Sequence, residues 1–288
     1  MRHNHEFSPL AHLLPFVLAG TLSLFHVHGT ASAEPSPPKN LQPDQLVAWC
    51  IVPFDAKQRG PAERAAMVRE LGLQRVAYDW RNEHVPQFEE EILAYRDRGI
   101  EFFAFWSWHP EFAKLVSKYE LKPQFWLTNP SPAGTADDER TRAAGQELLP
   151  TVREALAINC PVGLYNHGDW GGRPENLIAV CEWLRAETGS DQIGIVYNLH
   201  HAHDDLDDFA RKLSNMKPYL LCLNLNGMNS TPDPKILPMG QGEHDERLMR
   251  IIRDSEYDGA IGILDHRPEL DARESLLLNL RGLESLKP

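Results

Sequence analysis

The chain predicts an α/β protein of the (β/α)8 barrel class, and three observations carry that prediction. Eight short apolar runs alternate with eight stretches of helical spacing over about 250 residues, the length one such barrel needs. The runs are apolar nearly throughout, as parallel strands covered on both faces are. No G-x-G-x-x-G follows the first run, so the alternative, a doubly wound open sheet built to hold a dinucleotide, has no local support.

The first strand is expected over 46–52 (L-V-A-W-C-I-V), with a helix over 61–71. The second strand spans 75–80 (R-V-A-Y-D-W), followed by a helix over 85–98 that Gly99 stops as a C-terminal glycine should. The third strand is 100–106 and its helix 110–119; the fourth is 123–127 with a long helix over 138–157. The fifth strand is 161–165, and its helix, 174–188, has a proline in the first turn. The sixth strand starts at Ile193, climbs to Asn198 and the imidazoles after it, and leads to a helix over 206–216. The seventh is 219–225 with a helix over 246–255, and the eighth is 260–264 with a closing helix over 271–286.

Residues 1–33 read as a secretory signal peptide: Arg2, an apolar segment over 13–25 and an Ala31-Ser32-Ala33 cleavage pattern. The apolar segment is short for a bilayer span, so export to a periplasm or beyond is expected, with no membrane attachment after cleavage. Residues 34–45 are Pro-rich and read as an extended leader, with the barrel over 46–288. The formal charge is −12, which repels a phosphate backbone and argues against nucleic acid as a partner. The four cysteines, Cys50, Cys160, Cys181 and Cys222, have no C-x-x-C spacing; buried thiols are expected, although export would permit a disulfide.

In a barrel the C-terminal strand ends converge on one mouth. Here those ends read Asp79-Trp80-Arg81, Trp106-Ser107-Trp108-His109, Asn129, Asn166-His167-Gly168-Asp169-Trp170, Asn198 to His203, Asn224-Leu225-Asn226-Gly227 and Asp265-His266-Arg267. Indoles that stack on C–H faces, with amides and imidazoles that bond hydroxyls, suit a small carbohydrate. Each residue also has a plain structural use: the tryptophans as core, the asparagines as turn and cap residues, Asp204 and Asp205 as a helix start. His200 and His201 would face opposite ways if the strand ran on through them.

At these residues the chain resembles the xylose-isomerase-like TIM barrels, a superfamily of sugar isomerases and epimerases with an endonuclease IV branch. The resemblance spans 46–286 and rests on Asn166-His167, Asn198-x-x-His201, Gly240-Gln241-Gly242-Glu243 and Asp265. In the epimerase-like members the fifth strand ends Glu-Asn-His, the sixth Asp-x-x-His, the seventh His-x-Lys-Asp and the eighth Glu. The two glutamates, the aspartate and the seventh-strand histidine hold a divalent metal there. In this chain those positions fall on Tyr165, Asn198, Asn224 and Asp265. Neutral amides are poor ligands for a hard cation, so no metal is expected in the usual positions. A rebuilt site would draw on His167, His201, His203 and Asp265 and would suit zinc or manganese.

The chemistry expected from the resemblance is proton movement next to a sugar carbonyl: isomerisation, epimerisation or elimination on a non-phosphorylated sugar or glycoside. His201 and His167 are the candidate bases, with Asp265 orienting one of them or serving as the second. Asn166, Trp170, Asn198, His203, Asn224, Asn226, Trp108, Arg267 and Glu243 are the candidate substrate-binding residues. A glycosidase would need two flanking carboxylates, for which Asp79, Asp169, Glu243 and Asp265 are candidates. The alternative is a carbohydrate-binding barrel that has lost its chemistry. A nuclease, which needs a metal cluster and a positive groove, ranks last. Oligomeric state is not legible.

Overall fold

The computed structural model describes residues 38–286. The expected signal segment and the first part of the leader lie outside the described residues. Among the described residues no helix is long and apolar enough to cross a membrane.

Eight parallel strands close on themselves in sequence order, and β8 pairs with β1 through Val47–Gly262, Ala48–Ile263 and Trp49–Leu264. The strands are β1 (Val47–Trp49), β2 (Arg75–Tyr78), β3 (Glu101–Trp106), β4 (Gln124–Thr128), β5 (Val162–Tyr165), β6 (Ile193–Asn198), β7 (Leu220–Leu225) and β8 (Ala260–Leu264). Around them lie α1 (Pro61–Glu70), α2 (Phe88–Asp97), α3 (Pro110–Lys118), α4 (Asp137–Ala157), the single turn α5 (Asp169–Gly172), α6 (Pro174–Thr188), α7 (Phe209–Met216), α8 (Asp245–Asp254) and α9 (Ala272–Ser285). This is the (β/α)8 barrel the sequence predicts.

The strand ends differ from expectation where the backbone has a local reason to turn. β1 stops at Trp49 because Cys50 takes φ +61°, a left-handed conformation that breaks the extended run. Pro86 breaks the start of the expected second helix into a 3-10 segment over Asn82–Gln87. After β6 the chain makes two 3-10 turns, Leu199–His201 and His203–Asp208, before α7 begins. The described part of the leader is not extended: Lys39–Leu41 and Pro43–Gln45 are 3-10 turns, Leu41 is buried, and Asn40 Nδ2 donates to the carbonyls of Tyr257 and Gly259.

Two cores result. The outer one packs the helices on the barrel, with Phe88, Phe105, Phe112 and Phe125 forming an aromatic cluster under α2 and α3. The inner one fills the barrel with Val47, Trp49, Ala77, Trp126, Tyr165, Val196, Cys222 and Leu264. Two strand glycines make room for interior side chains. A Cβ on Gly163 would come within 2.4 Å of Val196 Cγ2, and one on Gly262 within 1.8 Å of Asn224 Oδ1. The four cysteines are free and buried.

Candidate active site

Period-two alternation along the strands decides which tip residues reach the mouth. Trp49, Tyr165 and Leu264 face inward, so the next inward positions beyond β5 and β8 are His167 and His266. The cavity at the C-terminal mouth, about 180 Å³, is lined by Trp49, Cys50, Phe54, Asp79, Arg81, Trp106, Tyr165, His167, His200, His201, Lys235 and His266.

Its floor is aromatic. Trp49 lies edge-on to Trp126 with ring centroids 4.8 Å apart, and Trp106 meets Tyr165 edge-on at 4.5 Å. Four imidazoles form the wall. His200 and His201 have ring centroids 3.7 Å apart, His201 and His167 4.7 Å, and His200 and His266 5.8 Å. The strand ends at Asn198, and the 3-10 turn after it brings both His200 and His201 to the mouth, where a continued strand would have parted them. Phe54 packs edge-on against His266 at 3.9 Å, and the Arg81 guanidinium lies 5.4 Å from the Phe54 ring.

Asp79 is the acidic lining residue. It is 2% exposed; Oδ1 accepts weakly from the Val52 N–H at 3.4 Å, and Oδ2 has no hydrogen-bond partner among the described residues. Burial pushes its pKa up to about 7, with Arg81 pulling the other way. Burial also drives the Cys50 thiol well above its ordinary value, with the Asp79 charge adding to it, so this thiol stays protonated and is no nucleophile. Burial and then the Lys235 ammonium bring His201 down to about 3 and His266 to about 4. His200 is lowered well below its usual range, again by burial first and then by His201. These three rings are therefore neutral at pH 7. Among the described residues, Nδ1 of both His200 and His266 has no hydrogen-bond partner. Lys235 Nζ lies 3.4 Å from His201 Nδ1.

Of the residues expected to do chemistry, His167 and His201 line the cavity, but His201 is held too weakly basic to serve as a base at neutral pH. Asp265 does not line it. Its side chain is fully buried toward α9, 3.8 Å from Arg267 Nε, and burial pushes it up to about 8 against the pull of Ser275 and Arg267. Arg267 donates to the Ser275 carbonyl and hydroxyl and is buried with it, so it is a partner of Asp265 and stands away from the mouth.

The expected binding residues are likewise displaced from the cavity wall. Asn166 stitches β5 to β6: Nδ2 donates to the Asn198 carbonyl at 3.0 Å and Oδ1 accepts from the Asn198 N–H at 2.7 Å. Asn198 Nδ2 donates to the Tyr165 hydroxyl inside the barrel. Asn224 accepts from the Cys222 thiol beside Gly262, and Asn226 Nδ2 donates to the Gly227 carbonyl. Trp170 is buried, donates to Asp137 and carries Arg140 over its face. Trp108 packs on Phe125 at 4.7 Å. His203 is half-buried on the second 3-10 turn and is not part of the lining.

Glu243 is exposed and holds Ser230 by its N–H and hydroxyl. It belongs to a set of contacts that shape the loop after β7. Asp245 accepts from the N–H groups of Met228, Gly240 and Gly242 at 2.8, 2.7 and 3.0 Å, and Gly227 pairs with Leu237. A Cβ on Gly242 would meet Met228 N at 2.1 Å, so the Gly-x-Gly segment is there for close backbone approach. The stapled loop delivers Lys235 over the mouth.

The family's metal positions do not make a ligand set in this chain. Tyr165 and Asn198 bond each other, Asn224 is engaged with Cys222, and Asp265 is fully buried and outside the cavity lining. Nor does the fold gather the rebuilt set, since His203 and Asp265 lie off the cavity. Among the described residues no group of three or more His, Cys, Asp or Glu side chains is placed to hold a metal ion. An ammonium 3.4 Å from His201 would also repel a dication at the imidazole cluster.

No protein-family model and no curated protein matches the chain. Solved structures do. The 3-keto-D-glucoside 4-epimerase of E. coli superposes with a TM-score of 0.60 at 13% identity, over 84% of this chain and 98% of that one. A D-tagatose 3-epimerase-like protein gives 0.61 at 16% identity, over 84% and 97%. A xylose isomerase domain protein from Planctomyces limnophilus gives 0.58 at 13%, over 77% and 91%. The chain has the xylose-isomerase-like TIM barrel fold.

Proposed function

We propose that this chain is a carbohydrate-active enzyme that moves a proton at a carbon next to a sugar carbonyl, using a side-chain acid–base group in place of a carboxylate-bound metal. The observation that carries this reading is a buried carboxyl, Asp79, held in a monosaccharide-sized cavity with an aromatic floor and an imidazole wall. A general base works best when its pKa lies near the operating pH, and Asp79 at about 7 meets that condition. An enediolate oxygen would be met by neutral imidazole N–H groups and by the side chains of Arg81 and Lys235, which act strongly in a site of low polarity. Trp49 and Trp106 supply faces for the C–H side of a sugar ring. The sugar epimerases among the structural neighbours and the expected export of the chain both favour a free, non-phosphorylated sugar.

The test is proton exchange. Incubated in heavy water with a panel of keto sugars, sugar lactones and sugar acids, the protein should replace one carbon-bound proton next to the carbonyl of at least one of them, seen as a lost signal by proton magnetic resonance. Sugar binding without exchange anywhere in the panel would make the barrel a binder.

A further inference from the structure

The charge around the cavity runs against the charge of the protein. The chain carries −12, yet two cations line the mouth, Arg81 after β2 and Lys235 on the loop after β7. Among the described residues neither has a carboxylate partner, whereas most other arginines near a buried carboxyl are paired, as Arg59 is with Asp55 and Arg64 with Glu91. Both are held in place. Arg81 Nη1 donates to the Trp80 carbonyl at 2.7 Å and its guanidinium lies over Phe54. Lys235 is presented by the loop that Asp245 and Glu243 fasten at its far end, and its Nζ meets His201. The acidic residue of the same lining, Asp79, is buried.

We infer that the ligand of this mouth is an acidic sugar, an aldonate or uronate whose carboxylate is taken by Arg81 and Lys235 while the neighbouring C–H is offered to Asp79. The inference rests on the sugar reading above and narrows it to one substrate class. A planar guanidinium binds a carboxylate through two parallel N–H groups, and the ammonium adds a point charge. The same pair would draw negative charge out of the adjacent carbon as its proton leaves. A carboxylate fits two cations without the dense lysine and arginine clamp that a phosphate dianion would need.

Binding to the full chain, read from the quenching of tryptophan fluorescence at Trp49 and Trp106, separates the possibilities. Glucuronate and galacturonate should bind about tenfold to a hundredfold more tightly than glucose and galactose, the range set by one or two charge-assisted hydrogen bonds. Lys235→Gln with Arg81→Gln should erase that preference by bringing the uronates down to the affinity of the neutral sugars, and Lys235→Arg in place of Lys235→Gln should restore part of it. Raising the salt concentration should weaken the uronates alone. Equal or tighter binding of the neutral sugars would overturn the acidic-sugar class and leave the sugar reading standing. Tighter binding of glucose 6-phosphate than of glucuronate would overturn the carboxylate assignment. No binding by any of these sugars or by gluconate would overturn both.

Discussion

Replacing Asp79 with asparagine should lower turnover of the exchanging sugar by about a hundredfold to ten thousandfold, the range general-base groups contribute. Binding should survive, because the amide keeps the shape of the carboxyl and the tryptophan floor is untouched. In the native protein kcat/KM should rise through pH 7 with unit slope, since the active form of Asp79 is the ionised one and its pKa lies at about 7. That limb should vanish in Asp79→Asn. Stability should move the other way. A carboxyl whose folded pKa is raised contributes stability below its unfolded value near 3.8 and loses it as pH rises through about 7. At pH 8 the native protein therefore carries a buried charge with an unpartnered oxygen, and Asp79→Asn should melt at a higher temperature than the native chain. A variant that loses no turnover would remove Asp79 from the chemistry, whatever its melting point.

The largest loss of stability should come from Glu91→Ala. Arg64 on α1 and Glu91 on α2 form an ion pair at 2.6 Å with side chains 2% and 0% exposed. Arg64 also donates to the Arg59 carbonyl. Removing the carboxylate strands a guanidinium between two helices, at a cost of about 3–5 kcal/mol. Replacing both partners with apolar residues of similar size, Arg64→Met with Glu91→Leu, should recover most of that loss, because the desolvation of both charges is removed together. Urea unfolding of the three variants measures it. A single variant within about 1 kcal/mol of the native chain would mean that water or a neighbour reaches Arg64 when Glu91 is gone.

The barrel was legible because its signal is repeated eight times and each repeat is local: an apolar run, a polar tip, an amphipathic helix. The site was legible only to the level of which tips matter. Asp79, Arg81, Trp106 and His266 all stand in the tips read from the sequence, but the choice within each tip needs the strand's facing. Leu264 faces inward, so His266 reaches the mouth and Asp265 does not; Tyr165 faces inward, so His167 reaches it and Asn166 does not. Period-two counting from an interior residue would have made both choices. Other features were out of reach. Cys50 depends on left-handed backbone, φ +61°, at a non-glycine residue. Lys235 reaches the mouth on a loop folded in part by contacts distant in sequence, Asp245 to Met228 across 17 residues and Glu243 to Ser230 across 13. The resemblance to metal-bearing barrels drew Asn198, Asn224 and Asp265 forward as site residues, and in this chain they have become interior structure.

We propose an organic acid–base site in place of the metal that the family resemblance implies, and elemental analysis of the purified chain tests that most directly. The protein is dialysed against manganese, zinc and cobalt in turn, freed of excess, and measured for both bound metal and proton exchange on its best sugar. Less than stoichiometric metal is expected in every case, with an exchange rate that a chelator leaves unchanged. One equivalent of tightly held metal, with exchange that falls on chelation and returns on reloading, would contradict it.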